Sequence, residues 1–471
     1  MEPLDQQGNM WKDKRVIVIG AARQGTALAR YLAERGARVV VNDKRPPIQM
    51  QTSQEMLADL SIEWVLGGHP LSILDGTDCV CPSGGVSLTL PLVQEAFNRG
   101  IPVSNDSQIF LETAPCLVIG ITGSAGKTTT TTLVGRMAQQ ASQLTGGKTF
   151  PRRVWVGGNI GNPLINNLGE MKPDDLAILE LSSFQLEIMR RSPQIAAILN
   201  ITPNHLDRHV TMQAYSIAKA HILDYQTEED QIILGRQDPG SWELVGRAHG
   251  KVWSFGLDRH VDHPGAFVEH NWVILRKEQT EERVLHVSEV HLRGEHNLIN
   301  VLAACTISAA AGLPTEAMRA GILGFLGVPH RLEFIRTWQG AHWFNDSIAT
   351  APERSMAAIH SFDDPIILLA GGRDKDLPWE GFAELVRQRV DHLVLFGEAA
   401  EKIREVVGPL KPGGRPYSLR MCKRLQEAVK AAAEQVEIGD VVLLSPGGTS
   451  FDEFRDFEER GEAYRKWVLE L

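Results

Sequence analysis

Cysteine is scarce in this chain: Cys79, Cys81, Cys116, Cys305 and Cys422 are the five in 471 residues. An odd, small number without zinc-ligand spacing argues against a disulfide scaffold or a zinc module, and fits a reducing cytosol. Cys79 and Cys81 would share one face of a strand, as a redox pair or as two small buried hydrophobes. Long apolar runs are missing as well. Nothing reaches the roughly 18 residues a membrane-spanning helix needs, and the opening MEPLDQQGNMWKDKR has no apolar core, so neither membrane insertion nor a signal peptide is expected. Positive charge is in deficit. A formal charge of −10 argues against a nonspecific nucleic-acid binder, and an anionic substrate would have to rely on local basic residues. There is no short-period repeat and no low-complexity tract. What is present is ordinary for a globular protein with sizeable cores, 43% hydrophobic and 23% charged. The length suits about three domains at roughly 150 residues each.

The most informative stretch is LVIGITGSAGKTTTTT, residues 117–132. An apolar run meets a glycine turn, then Lys127 and Thr128, then a predicted helix. Glycines let backbone N–H groups approach phosphate oxygens, a helix N-terminus favours anions, Lys adds charge and a Thr hydroxyl can reach Mg²⁺. The loop is short for this class. Ile121 stands where a standard phosphate loop has its first glycine, so the pattern is G-x-x-G-K-T from Gly123. An ATP- or GTP-using protein is predicted; an ordinary strand–turn–helix junction is the alternative.

Strands alternating with helices recur in three segments, which predicts α/β domains with parallel sheets over 1–114, 115–327 and 328–471. The first opens with Arg15–Gly20, a helix over Thr26–Arg35, and a strand over Ala37–Val41 running into Asn42-Asp43. An acidic residue after the second strand is dinucleotide-like, but with only Gly20 and Gly25 a plain βαβ unit stays open. The second has strands over Leu176–Leu181 and Ile195–Ile201. Residues 231–293 read as an antiparallel insertion, and helical patterning returns over His296–Ala311. The third has strands over Pro365–Leu369, His392–Phe396 and Val441–Leu444, with a closing helix over Arg455–Trp467.

Several strand ends carry chemistry. Glu180, in LELSSFQLE, is placed for a Mg²⁺ ligand or for a solvated strand end. NITPNHLDRH brings His205, Asp207 and His209 together in a polar loop, as ligands, proton carriers or structural residues. GGNIG at 157–161, His330-Arg331, Asn345-Asp346-Ser347, GGRDK at 371–375 and SPGGTS at 445–450 offer amides, cations and hydroxyls where open α/β sheets bind ligands. Turns, caps and surface ion pairs are the competing explanations. Lys219, in AYSIAKAHI, reads from its surroundings as a snorkelling surface lysine.

In this order TGSAGKTTT, GGNIG, LELSSFQLE, NITPNHLDRH, AYSIAK, GEHNLIN, PHRLE, NDSIAT, GGRDK and SPGGTSFDEFRDFEERG resemble the Mur ligases of peptidoglycan synthesis, from Val16 to near the C-terminus. LELSSFQLE, HLDRH and the final block are similar, as a set, to the members that add glutamate. The resemblance implies a Rossmann-like N-terminal domain for a UDP-linked substrate, a central ATPase domain and a Rossmann-like C-terminal domain receiving the amino acid. It implies an ATP-dependent ligase joining D-glutamate to UDP-N-acetylmuramoyl-L-alanine through an acyl phosphate, with L-glutamate as the alternative. ATP, two Mg²⁺ ions, a carbamylated Lys219, a monomer and a cytoplasmic location are also implied.

By position, the resemblance gives Gly123, Ser124, Ala125, Gly126, Lys127, Thr128, Thr129, Asn297, Asn300, Arg331 and Asp346 to ATP. It gives Gly20, Asp43 and Asn159 to the UDP substrate, and Thr350, Lys375, Ser450 and Phe457 to glutamate. Thr128, Glu180, His205 and carbamylated Lys219 would hold metal, and Lys127, Glu180, His205 and Lys219 would be catalytic. A folylpolyglutamate synthetase shares the central chemistry, but the βαβ segment ahead of the phosphate loop argues against it. A noncatalytic nucleotide-binding regulator would be expected to lack Glu180, His205 or Lys219. The chain departs from the family pattern at Ile348, where Lys is usual, at Asn204, at Pro82–Gly85 and at Gly447–Thr449. The first and last put the amino-acid pocket in question.

Overall fold

The structure, a computed structural model, describes residues 10–471 except 160, 162, 204–208, 210, 279, 293, 375 and 376. His205, Asp207 and Lys375 therefore lie outside the described residues. The chain divides into two compact units, the first ending at Phe325 and the second running Leu326–Leu471.

The first unit contains two sheets. Strands β1 (Arg15–Ile19), β2 (Arg38–Asp43), β3 (Ile62–Leu66) and β4 (Cys79–Pro82) form a parallel sheet in the order β3-β2-β1-β4. RVIVI and RVVVND are buried almost throughout, as expected of strands covered on both faces. The helix between them, Arg23–Glu34, starts three residues before the predicted Thr26.

The second sheet has nine strands: β5 (Leu117–Thr122), β6 (Val154–Gly158), β7 (Leu176–Glu180), β8 (Ile195–Ile198), β9 (Gln231–Gly235), β10 (Lys251–Phe255), β11 (Gly265–Glu269), β12 (Trp272–Lys277) and β13 (Thr280–His286). Their order is β13-β12-β11-β10-β9-β8-β5-β7-β6. The antiparallel part is narrower than residues 231–293. β9 pairs parallel with β8, and β10 pairs parallel with β9 and β11; only β11–β12 and β12–β13 are antiparallel. The run Ile232–Leu234 is fully buried, the mark of a parallel central strand, whereas the short alternating runs around it read as hairpins.

The second unit is built on β14 (Glu333–Trp338), β15 (Ala341–Asn345), β16 (Ile366–Gly371), β17 (Val390–Phe396), β18 (Ser418–Cys422) and β19 (Val441–Gly447), in the order β14-β15-β19-β16-β17-β18. All pairs are parallel except β14–β15. Phe344, Phe362 and Trp379 pack in the core on one face, and Trp343, Tyr464 and Val468 in the core on the other. Three sheets with helices give a three-domain α/β architecture. The segments of interest follow the carboxyl ends of β1, β2, β5, β7, β8, β15, β16 and β19, where sheets of this kind bind ligands.

Candidate active site

The phosphate loop leaves β5 and enters the helix Lys127–Thr145, with Gly126 as its N-cap. Gly126 has φ +80°, and a Cβ there would lie 2.3 Å from Asn300 Oδ1. Both the left-handed turn and the close approach require glycine. Asn300 sits near the start of the helix Glu295–Ala310, and its amide donates to Asn297 Oδ1 at 3.2 Å. The structure thus brings Asn300 to the phosphate loop, with Asn297 hydrogen-bonded to it.

The segment after β8 clamps the same loop. Ala125 N–H donates to Asn200 Oδ1 at 2.8 Å, and Asn200 Nδ2 donates to Ala125 O at 3.1 Å. Ser124 N–H donates to Asn200 O, Ser124 Oγ donates to Thr202 O, and Thr202 N–H donates to Ser124 Oγ, each at 2.9 Å. These bonds explain why β8 stops at Ile198 and not at the predicted Ile201: the backbone turns from the ladder to the loop. Lys127 Nζ folds back onto Gly123 O at 2.6 Å and Ser124 O at 3.2 Å.

Glu180 ends β7 with only 2% of its surface exposed. Asn159 Nδ2 donates to Oε1 at 3.2 Å, while Oε2 is buried without a hydrogen-bond partner. A buried carboxylate oxygen left bare is costly, and a cation would satisfy it. Gly158, at φ +98°, lets Asn159 approach: a Cβ there would stand 2.4 Å from Glu180 O.

Lys219 is not the snorkelling lysine its surroundings suggested. It lies on the helix Met212–Ala220 with 1% exposure. Nζ donates to Gly123 O at 2.9 Å and Thr122 Oγ1 at 3.3 Å, and stands 4.8 Å from the centre of the Tyr215 ring. Burial, and then the charge of Lys127, push its pKa down to about 6, against the opposing pull of Glu180. Near neutral pH it is largely a free amine, the form that adds to CO₂. Glu180's bare oxygen and the Thr128 hydroxyl are oxygen donors of the kind that Mg²⁺ takes.

His209, grouped with His205 and Asp207 in the sequence, is held structurally. Its Nε2 lies 2.9 Å from Ser183 Oγ, its Nδ1 3.1 Å from Glu187, and its ring stacks on Phe184. Ser183 opens the short helix Ser183–Leu186, whose N-cap Ser182 forms a capping box with Gln185. Gln185 in turn donates to Ser107 Oγ at 2.7 Å, and Asn105 Nδ2 donates to Gln185 O at 2.8 Å. A polar latch therefore ties the segment beyond Glu180 to residues 105–107.

At the small sheet, Asp43 accepts from Ala21 N–H at 2.9 Å and from Arg45 at its backbone, Nε and Nη2. Burial pushes this carboxyl up, but the hydrogen bonds outweigh it and the pKa falls to about 2. Gly20, at φ +88°, leaves room for Ser83 Oγ, which would be 2.4 Å from a Cβ.

In the second unit, Asp346 follows β15, 5% exposed, and accepts from Ser445 Oγ at 2.8 Å and Leu332 N–H at 3.2 Å. Burial raises its pKa to about 7. The Gly-Gly-Thr departure has a packing reason. Gly447, at φ +71°, lies where a Cβ would strike the Trp379 ring at 2.7 Å, and a Cβ on Gly448 would be 2.5 Å from Gly371 O. Arg373 and Thr449 exchange backbone hydrogen bonds at 2.8 Å, so the GGRDK and SPGGTS loops form one surface beside buried Ser450. Arg460 was not legible in the sequence. Fully buried, it donates to Ser347 Oγ at 3.0 Å, Ser347 O at 2.9 Å and Gly448 O at 3.1 Å, tying the loop after β15 to the loop after β19. Ser347 Oγ donates to the carbonyl of Phe457 at 2.8 Å. A charged residue in the run RDFEERG gives no sign of such burial.

These features define an α/β ligase-type ATPase, and comparison with known proteins gives its family. Residues 14–105 match the Mur ligase MurD-like N-terminal domain, 121–308 the Mur ligase middle domain and 330–448 the Mur ligase glutamate ligase domain. The chain belongs to the Mur ligase family. It is 37% identical to the UDP-N-acetylmuramoylalanine--D-glutamate ligase of Caldanaerobacter subterraneus subsp. tengcongensis, over 98% of this chain and 99% of that one. Identity to the ligase of the same name from Symbiobacterium thermophilum is 39%, over 97% and 98%. Among solved structures, the fold is similar to UDP-N-acetylmuramate-alanine ligase MurC from Thermotoga maritima (TM-score 0.55, 17% identity, 97% and 99% covered). It is likewise similar to MurF from Acinetobacter baumannii (TM-score 0.54, 19% identity, 99% and 98% covered).

Proposed function

We propose that this chain is an ADP-forming ligase that joins D-glutamate to UDP-N-acetylmuramoyl-L-alanine in peptidoglycan precursor synthesis. The observation that carries the reading is the convergence of the phosphate loop, the half-satisfied Glu180 and the buried amine of Lys219, in a chain alike over its full length to D-glutamate ligases.

The substrate carboxylate attacks the γ-phosphorus of ATP, ADP leaves, and an acyl phosphate forms. The amino group of glutamate attacks that carbonyl, loses a proton, and phosphate departs as the amide forms. Gly123–Thr129 hold the phosphates, with Lys127 countering the charge that spreads over the transferring group. Asn297 and Asn300 serve the adenine side, and Arg331 and Asp346 the rest of ATP. Gly20, Asp43 and Asn159 serve the UDP substrate; Thr350, Lys375, Ser450 and Phe457 serve glutamate. Thr128, Glu180, His205 and carbamylated Lys219 would hold two Mg²⁺ ions, which supply charge neutralisation during transfer. The working form is a cytoplasmic monomer, with residues 1–114, 115–327 and 328–471 as its domains.

The test is phosphate release from ATP with UDP-N-acetylmuramoyl-L-alanine and each glutamate enantiomer separately. Release dependent on D-glutamate is expected. No release with either sinks the ligase reading; release with L-glutamate alone replaces the acceptor.

A further inference from the structure

Beyond β15, two arginines act on one buried carboxyl. Two carboxyls are buried here: Glu333 is paired with Arg465, while Asp346 is held by neutral donors, Ser445 Oγ on one oxygen and the backbone of Leu332 on the other. Arg331 and Arg354 both act on Asp346 electrostatically, and on each other unfavourably. Neither makes an ion pair with any carboxylate among the described residues. Asp346 is itself pushed toward neutrality by burial, so it offsets less than one of the two charges.

Arg354 is the unusual member. It lies in the first turn of the helix Pro352–Ile359 and its side chain is open to solvent. It is nevertheless crowded enough that desolvation, and then Arg331, lower its pKa. Arg354 is brought to the segment carrying Arg331 through the loop at Ile348, whose N–H donates to His330 O at 3.1 Å. Among the described residues its one hydrogen bond is from Nη1 to Ile348 O at 3.5 Å, the outer limit for such a bond. The rest of its planar fork of N–H donors is unspent. Ile348, the apolar residue of the same loop, brings no charge of its own.

We propose that Arg354 is a substrate-binding residue: with Arg331 it clamps an oxyanion, a phosphoryl or carboxylate group, beside Asp346. The proposal rests on the ligase reading for the identity of that anion. A planar fork that keeps its charge at all working pH is suited to bidentate contact with either group.

Steady-state kinetics of the full-length chain test it, with Arg354→Gln, Arg354→Lys and the surface control Arg424→Gln. Arg354→Gln should raise one KM about tenfold or more while kcat stays within about threefold. A rise in the KM for ATP identifies a phosphoryl oxygen; a rise in that for glutamate identifies a carboxylate. Both KM values within about twofold of wild type overturn the proposal, whatever happens to kcat. If Arg354→Gln does not fold, Arg354→Lys replaces it. That variant keeps the charge and loses the fork, so it should raise the same KM about threefold to fivefold, and no rise overturns the proposal. If the wild type releases no phosphate with either glutamate enantiomer, the ligase reading falls. ATP titration by calorimetry then decides: affinity weakened about tenfold in Arg354→Gln supports the clamp, and equal affinity overturns it.

Discussion

Lys219 Nζ and the carbonyl of Gly123 meet at 2.9 Å. The same carbonyl accepts from Lys127 Nζ at 2.6 Å. Two lysines thus converge on one oxygen of the phosphate loop, and one is buried deeply enough to sit largely neutral. The proposed carbamate would turn that neutral amine into an anion beside Lys127. Lys219→Ala should therefore lower phosphate release by at least about a hundredfold while the chain still melts cooperatively, any drop in melting temperature reflecting the cavity left by a buried side chain. Short carboxylic acids should restore part of the rate. Wild-type rates in Lys219→Ala refute the role.

Gly126 and Gly146 cap opposite ends of one helix, both left-handed, and make a controlled pair. A methyl at 126 meets Asn300 Oδ1; a methyl at 146 meets nothing within 4 Å. Gly146→Ala should cost only the backbone penalty, about 1 kcal/mol. Gly126→Ala should cost about 2–3 kcal/mol and weaken ATP binding as well. Urea denaturation and ATP titration measure both. Equal costs at the two sites would show that Asn300 gives way freely.

His330 supplies a pH dependence. Burial, and then the charge of Arg465, press its pKa down to about 4 from 6.5, against Asp456. Asn345 lies 3.1 Å from Nδ1 and Glu462 3.5 Å from Nε2. Above pH 6.5 the ring is neutral folded or unfolded. Between 6.5 and about 4 the unfolded chain binds a proton that the folded chain refuses, so acidification destabilises the second unit across that window. Calorimetric scans from pH 7 to pH 4.5 should show this slope, and His330→Asn should flatten it. An unchanged slope in the variant assigns the effect elsewhere.

Where buried runs end in glycine, as at β1, β5 and β16, the sequence marked both strand and ligand loop, because apolar periodicity and positive-φ glycine are local signals. The partners that those loops recruit were hidden. Nothing near Asn200 says that its amide will bracket Ala125, and nothing in RDFEERG separates buried Arg460 from its exposed neighbours. Both depend on contacts between residues 75 and more than 100 positions apart. Lys219 shows the limit most clearly. Its neighbours in sequence describe a surface helix, while its neighbours in space are Thr122, Gly123 and Tyr215. The parallel pairing of β9 and β10 was likewise a property of the sheet they join, not of their own alternation.

Asn200 gives the sharpest test of the loop clamp. Its side chain satisfies both backbone groups of Ala125, at 2.8 and 3.1 Å, while its own carbonyl holds Ser124 N–H. Asn200→Ala removes the first two bonds and leaves the third. The loop should stay folded but lose its preset shape, so ATP has to order it on binding. An increase of about tenfold in the KM for ATP is expected, equivalent to about 1.4 kcal/mol, with little change in melting temperature. Asn200→Asp keeps the acceptor for Ala125 N–H, loses the donor to Ala125 O, and puts a negative charge beside the loop that must receive phosphates. It should bind ATP more weakly than Asn200→Ala, and the gap should narrow in high salt. If Asn200→Asp binds ATP as well as the wild type does, the clamp is not what shapes the loop for phosphate.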